Sequence, residues 1–272
     1  MVWLAVALGV ALLAVLAWGL FEAGWLRRRV LEIELAGVPD AVDGLRIAHL
    51  SDLHLGSPSR GQRAAERAVA WVAERRPDLV VVTGDLVSRR TGLPLLRRLL
   101  GEIPGCIVVL GNHDLADSRD PFSESIDEGE LAAMPGVRLL SDEAVELELR
   151  GSRVQVAGID PRSYALRTSR PAALSASDAD LRILLCHFPG AARQLPPGAF
   201  QLVLAGHFHA GQIVVPLPGF KLRLAHLGAG AVEGVHRYGD TVLHVSPGIG
   251  TTFVPLRFFA RPEVTELVVR ST

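Results

Sequence analysis

Five apolar segments, each ending in Asp, Asn or His beside a glycine or another small residue, set the architecture of this chain. They are LRIAHLSDLH (45–54), DLVVVTGD (78–85), CIVVLGNHD (106–114), LRILLCH (181–187) and FQLVLAGHFH (200–209). Apolar runs of this length, rich in β-branched residues and stopped by turn residues, read as buried strands. Polar side chains just beyond strand ends are where α/β sheets bind ligands. Between these strands, GQRAAERAVAWVAERR (61–76) carries apolar residues at helical spacing and stops at Pro77, and a short helix fits 93–101. Residues 120–135 read as a helix with loops, and 137–158 as short strands with a hairpin around Arg150-Gly151-Ser152. VLEIEL (30–35) and VTELVV (264–269) add strands, and the last third, through LHVSPGIG (243–250), is strand- and glycine-rich. The expected fold is layered α/β, two packed sheets with helices outside, with no internal repeat and no linker long enough to split the body.

The chain of 272 residues opens on a different solvent. Residues 1–21 carry no charge, and VWLAVALGVALLAVLAWGLF (2–21) would span about 30 Å as a helix, the thickness of a hydrocarbon core. Trp3, Trp18 and Trp25 lie towards its ends, where amphipathic rings favour the interface. A cleaved signal peptide would have positive charge before a shorter apolar run, and none precedes this one. The first basic cluster, Arg27-Arg28-Arg29, follows the helix, so the expectation is an uncleaved single-pass anchor in the cell membrane with the body in the cytoplasm. A net charge of −1 argues against nucleic acid as a partner. Cys106 and Cys186 sit in apolar runs without CxxC spacing and read as buried thiols rather than metal ligands or a disulfide framework.

Each polar strand end has an ordinary reading when taken singly: a cap, a turn, a core histidine. Five in succession, each after an apolar strand, do not. In chain order, Asp52-Leu53-His54, Gly84-Asp85, Gly111-Asn112-His113-Asp114, His187 and Gly206-His207-Phe208-His209 resemble the pattern of the calcineurin-like metallophosphoesterases, and the resemblance covers about residues 44–250. LRIAHLSDLHLG, GHFHAGQIVVPLPG and SPGIGTTFVPLRFFARPEVTEL resemble a small membrane-associated bacterial branch, which includes phosphodiesterases and a UDP-2,3-diacylglucosamine pyrophosphatase. The resemblance implies a four-layer αββα sandwich behind an N-terminal transmembrane helix. Its expected parts are an anchor over 1–26, a juxtamembrane basic segment with the first strand over 27–43, and a phosphoesterase domain over 44–272.

Carried over residue by residue, the resemblance implies a first metal held by Asp52, His54 and His209, a second held by Asn112, His187 and His207, and Asp85 bridging both. Mixed imidazole and carboxylate donors suit two divalent ions, manganese first, with iron, zinc or nickel as alternatives. Such a pair activates water as the nucleophile and neutralises phosphoryl oxygens during displacement. His113 is the candidate general acid for the leaving oxygen, and Asp114 the residue expected to orient and charge it, with a simple cap on the next segment as the alternative. Two departures bear on the site: Phe208 stands between the paired histidines where a small residue is usual, and Ala210 follows where glycine is usual. Protein Ser/Thr phosphatases carry Asp where Ser88 stands, which argues against that activity. Arg89 and Arg257 are candidate phosphate contacts.

The expected reaction is hydrolysis of a phosphodiester or pyrophosphate bond, in a lipid-linked substrate such as UDP-2,3-diacylglucosamine. The alternatives are a general phosphodiesterase on soluble nucleotides or diesters, and a non-catalytic metal-binding scaffold, against which the complete ligand set and His113 argue. The anchor keeps the site near the bilayer and concentrates lipid-linked substrates. VVPLPGF (214–220) and TTFVPLRFF (251–259) read either as core strands with turns or as an apolar rim that dips into the membrane, with Phe220 and Phe258 as its test residues. No protein partner is inferred.

Overall fold

Strands with apolar residues on both faces need cover on both faces. Alternate residues of the central strands accordingly enter different cores. Ile47, Val81 and Ile107 face one way, and Ala48, Val82 and Val108 the other. The computed structural model describes residues 1–118, 120, 123–175, 178–226 and 228–272. In order its elements are α1 (Val2–Glu22), β1 (Arg27–Leu35), β2 (Arg46–Leu50), α2 (Gly61–Arg75), β3 (Leu79–Thr83), α3 (Leu93–Gly101), β4 (Cys106–Val109), α4 (Glu128–Ala132), β5 (Val137–Leu139), β6 (Glu143–Leu149), β7 (Ser152–Gly158), α5 (Pro161–Ala165), β8 (Leu181–Leu185), β9 (Leu202–Ala205), β10 (Val214–Leu217), β11 (Phe220–Arg223), β12 (Gly234–Tyr238), β13 (Thr241–Val245) and β14 (Glu263–Ser271).

Two six-stranded sheets result, in the orders β1-β14-β2-β3-β4-β5 and β12-β13-β9-β8-β7-β6. Their inner faces share one core, in which Ile47, Val81 and Ile107 meet Val156, Ile183 and Leu204. Each such side chain contributes about 1.5–3 kcal/mol when fully buried. Outside the first sheet, Ala64, Ala68, Val69 and Val72 of α2 and Leu96, Leu99 and Leu100 of α3 form the second core. Arg76, at φ 48°, leaves the helical region and ends α2 before Pro77. Among the described residues, the layer outside the second sheet is helical in short pieces: α5 and 3-10 segments at Pro171–Leu174 and Pro189–Gln194. The layered α/β expectation therefore holds, with a thin fourth layer. Both cysteines are buried free thiols, and burial pushes each up to about 12.

Three local expectations change. β1 begins at Arg27 rather than residue 30, because Arg27 and Arg29 pair with the buried Glu263 carboxylate of the neighbouring strand, at 3.3 and 3.7 Å. Two of the three arginines that follow α1 are thus held within the sheet. In the 120–135 segment only Glu128–Ala132 is helical, started by Asp127, whose carboxylate accepts the Gly129 and Glu130 N–H groups; residues 119, 121 and 122 lie outside the described residues. The stretch 214–220 enters neither core. β10 and β11 form a separate hairpin hydrogen-bonded to neither large sheet, and Phe220 is 60% exposed.

The strands that carry the polar ends run parallel to one another: β2, β3 and β4 in one sheet, β8 and β9 in the other. Their C-terminal ends meet at one edge of the sandwich, which places the five motifs around one point.

Candidate metal centre

The loops after these strands are laced together by backbone bonds. The Asp52 N–H donates to Gly84 O at 2.9 Å, His54 N–H to Asp85 O at 3.0 Å, and Gly206 N–H to His187 O at 3.1 Å. This lacing bends the chain sharply. Asp52, His54, Asp85, His207 and His209 all take positive φ, between 46° and 78°. Asp and His tolerate that region better than most residues, and its concentration here marks a functional site. Ala210 follows at φ 53°, a strain of roughly 1–2 kcal/mol that glycine would avoid. Gly111 and Gly206 are required for a different reason. A Cβ at Gly111 would collide with the Asp85 carboxylate, and one at Gly206 with the Ser51 hydroxyl and the Asp52 carboxylate.

Four buried side chains, Asp52, His54, Asp85 and His209, converge so that one ligand atom of each lies within 4.8 Å of the others. His54 Nε2 and His209 Nε2 are 3.1 Å apart, and Asp52 Oδ1 is 3.4 Å from His209 Nε2. Asp85 Oδ2 stands between the two halves of the cluster, 3.5 Å from His54 Nε2 and 3.2 Å from His187 Nε2. His207 Nδ1 in turn lies 3.2 Å from His187 Nε2. The His113 N–H beside Asn112 donates to Asp85 Oδ1 at 2.9 Å, and Asn112 Oδ1 is buried with no hydrogen-bond partner.

These spacings fit divalent metal. Donors about 2.1 Å from an ion stand roughly 3–3.4 Å from one another in octahedral or tetrahedral shells. The orphaned Asn112 oxygen points to the same conclusion, since a buried acceptor without a partner is costly. The ring nitrogens turned away from the cluster are held as well. His187 Nδ1–H donates to Thr83 O at 2.9 Å, and His54 Nδ1 meets Ser88 Oγ at 3.1 Å. His209 Nδ1 lies 3.0 Å from the Arg257 guanidinium, which has no acceptor for an imidazole N–H and abuts the ring without taking its proton.

Proton affinities follow the same packing. Burial works against ionisation of Asp85, yet His187, His113 and His54 hold it well below the carboxylate range. Burial raises the Asp52 carboxyl above that range, and the Asp85 charge adds to the effect. Burial would depress the His187 imidazole, but Asp85 and Asp52 raise it to about 9. Metal uptake must therefore displace protons. Protonated His187 competes with metal below its raised value, so affinity falls as pH is lowered. Calorimetric titration with Mn²⁺ is expected to show affinity dropping about tenfold per displaced proton for each pH unit below about 9. Affinity independent of pH would contradict this proton balance.

Two expected roles are corrected. Asp114 does not reach the His113 ring: its buried carboxylate accepts backbone N–H groups of Leu86 at 2.8 Å, Val87 at 3.2 Å and Gly111 at 2.9 Å. It clasps the Gly84-Asp85 and Gly111–Asp114 loops together. The His113 Nδ1 instead meets Ser123 Oγ at 3.2 Å and Ser118 Oγ at 3.4 Å, while its ring stands edge-on to His54 at 4.7 Å. Arg257 is no phosphate contact: it is fully buried and spends its donors on Gly250 O, Pro247 O and Ala260 O. Arg89 lies half-buried at the loop after Ser88.

Sequence reasoning missed Ser123, which lies beyond a loop with no periodicity, and Gln212. The Gln212 side chain donates to Thr252 O at 2.8 Å and accepts the Thr252 N–H at 3.0 Å. It thereby closes one wall of a cleft of about 330 Å³ beside the cluster, lined by Phe208, His209, Ile213, Leu224, Phe253 and Val254.

The family profile described as calcineurin-like phosphoesterase matches residues 45–211. An uncharacterised metallophosphoesterase of Bacillus subtilis, YkuE, is 30% identical over 243 residues, covering 86% of this chain and 82% of that protein. The phosphodiesterase YaeI of Escherichia coli is 27% identical over 252 residues, covering 90% of this chain and 89% of its own. A transmembrane protein with a metallophosphoesterase domain from Danio rerio is 32% identical over 287 residues, covering 97% of this chain and 62% of that protein.

Proposed function

Because the chain belongs to the calcineurin-like phosphoesterase family, we propose that it is a membrane-anchored phosphoesterase with two divalent ions that hydrolyses a phosphodiester or pyrophosphate bond in a lipid-linked substrate. UDP-2,3-diacylglucosamine is the representative of that class. The observation that carries the lipid-linked reading is the apolar cleft beside His209. Leu224, Phe253 and Val254 line it, and each is also exposed to solvent, at 53%, 54% and 40%. Phe220 and Leu222 of the β10–β11 hairpin and Phe259 are exposed as well, and a second cleft at the end of α1 is lined by Trp18, Val214 and Phe259. An exposed apolar cleft beside a site marks a binding surface.

In this reading Asp52, His54 and His209 would hold one ion, Asn112, His187 and His207 the other, and Asp85 would serve both. The bound ions would supply an activated water and neutralise phosphoryl charge; manganese is the first candidate, with iron, zinc or nickel as alternatives. The chain's own residues do the rest. Asp85 Oδ1 accepts the His113 backbone N–H at 2.9 Å, which ties the candidate acid to the bridging carboxylate. Ser123 Oγ donates to His113 O at 3.0 Å and faces its Nδ1, leaving Nε2 to pass a proton to the leaving oxygen. The α1 helix, over an anchor of 1–26, would hold this site at the cytoplasmic face, with 27–43 the connecting strand segment and 44–272 the catalytic domain.

Hydrolysis by the full chain in detergent with Mn²⁺ tests the reading. UDP-2,3-diacylglucosamine, bis-p-nitrophenyl phosphate and p-nitrophenyl phosphate are to be compared. The acylated nucleotide is expected to be turned over with the higher kcat/KM. Phe220→Ser with Phe253→Ser should cut that value roughly tenfold while sparing the soluble diester, the scale of burying one or two apolar groups. The test pair differs from the sequence expectation because the Phe258 ring lies against Gly19 of α1, not on the rim. Preference for the soluble diester, or equal losses on both substrates, would move the assignment to a general phosphodiesterase.

A further inference from the structure

An anchor that only located the enzyme would need no specific contact with the body. In this chain the last turn of α1 is built into it. Gly19 and Glu22 are buried, unlike the rest of the helix. Glu22 is 2% exposed; its Oε2 accepts the Trp18 Nε1–H at 3.0 Å, and its Oε1 accepts the Ala260 backbone N–H at 2.9 Å. Gly19 O accepts the Arg257 backbone N–H at 3.1 Å. The Phe258 ring lies over Gly19 so closely that a Cβ there would stand 2.5 Å from it. Burying a carboxylate is costly unless its bonds are made, so this seat is specific.

The same loop leads to the metal cluster. Ala260 is held at both ends, its N–H by Glu22 and its carbonyl by Arg257 Nη1 at 2.9 Å. Arg257 also donates to Gly250 O and to Pro247 O at 2.9 Å, and its Nη2 lies 3.0 Å from His209 Nδ1. One contact chain thus runs from the helix end through Glu22, Ala260 and Arg257 to a cluster histidine. We propose that Glu22 and Arg257 are positioning residues, and that the seated end of the anchor helix sets the place of His209 in the metal centre. The proposal rests on the reading of His209 as a metal ligand. Arg257 cannot accept the His209 Nδ1–H, so it acts on the ring by contact and charge, and shifting a ligand's support changes metal affinity by about 10–100-fold.

The full chain in detergent micelles is the material for the test, with Mn²⁺ titration and kinetics on bis-p-nitrophenyl phosphate as paired readouts. Glu22→Ala is expected to weaken one of two Mn²⁺ binding events about 10–100-fold and leave the other unchanged. Its kcat should fall about tenfold or more at limiting Mn²⁺, with KM nearly constant. Glu22→Gln keeps an acceptor for the Ala260 N–H and should restore most of both. Leu8→Ala, on the exposed part of α1 away from its seated end, should match the wild type. If Glu22→Ala does not fold, Gly19→Ala, which displaces Phe258, must show the same one-site loss. Wild-type titration and kcat in a folded Glu22→Ala or Gly19→Ala protein would overturn the proposal. Absence of Mn²⁺ binding by the wild type would instead overturn the metal reading beneath it.

Discussion

Asp85→Asn is expected to lose bound divalent metal and to lower phosphodiester turnover by about 10³-fold or more, ~4 kcal/mol of transition-state stabilisation. Asp85 is 1% exposed and faces His54 Nε2 and His187 Nε2 from a single oxygen, while its other oxygen accepts the His113 N–H. Asparagine has the same shape, can accept that N–H, and tolerates the φ of 54° found here. The substitution therefore removes the charge and leaves the loop. Two like-charged ions held close together need an anion between them, and the neutral amide supplies none. Metal content per chain, measured beside kcat/KM at saturating Mn²⁺, decides the matter. A variant that keeps both ions and wild-type turnover would show that Asp85 is not the bridging group.

The site was legible in the sequence because its residues sit immediately after apolar strands. Short continuous apolar runs stopped by turn residues identify the strands, and a sheet edge then gathers whatever follows them. Asp52, His54, Asp85, His187 and His209 needed only that inference to be brought together. What stayed hidden depends on contacts between distant segments. Nothing in VPLRFF distinguishes a buried Arg257 behind His209 from a surface phosphate contact, because the difference lies in Pro247, Gly250 and Ala260. Asp114 adjoins His113 in sequence, yet its carboxylate turns to Leu86, Val87 and Gly111. The β10–β11 hairpin is as apolar as a core strand, and periodicity does not report which large sheet, if any, it joins. Glu22 is the clearest case: at the end of an apolar helix it reads as the boundary of a span, and its bond to Ala260 crosses almost the whole chain.

The second large effect separates proton transfer from metal binding. His113→Ala is expected to retain both ions and to lose ~10²–10⁴ in kcat on a diester with a poor, alkoxide-like leaving group. The His113 side chain belongs to no metal contact proposed above; its Nδ1 is engaged by Ser123 and Ser118, and its ring packs edge-on against His54. A nitrophenolate leaves without a proton, so the same variant should retain most of its rate on bis-p-nitrophenyl phosphate. The ratio of the two losses is the measurement, because damage to the metal cluster would depress both substrates alike. Loss of metal in the variant, or equal rates with the wild type on the alkyl diester, would remove His113 from the role of acid. The proton would then have to come from water.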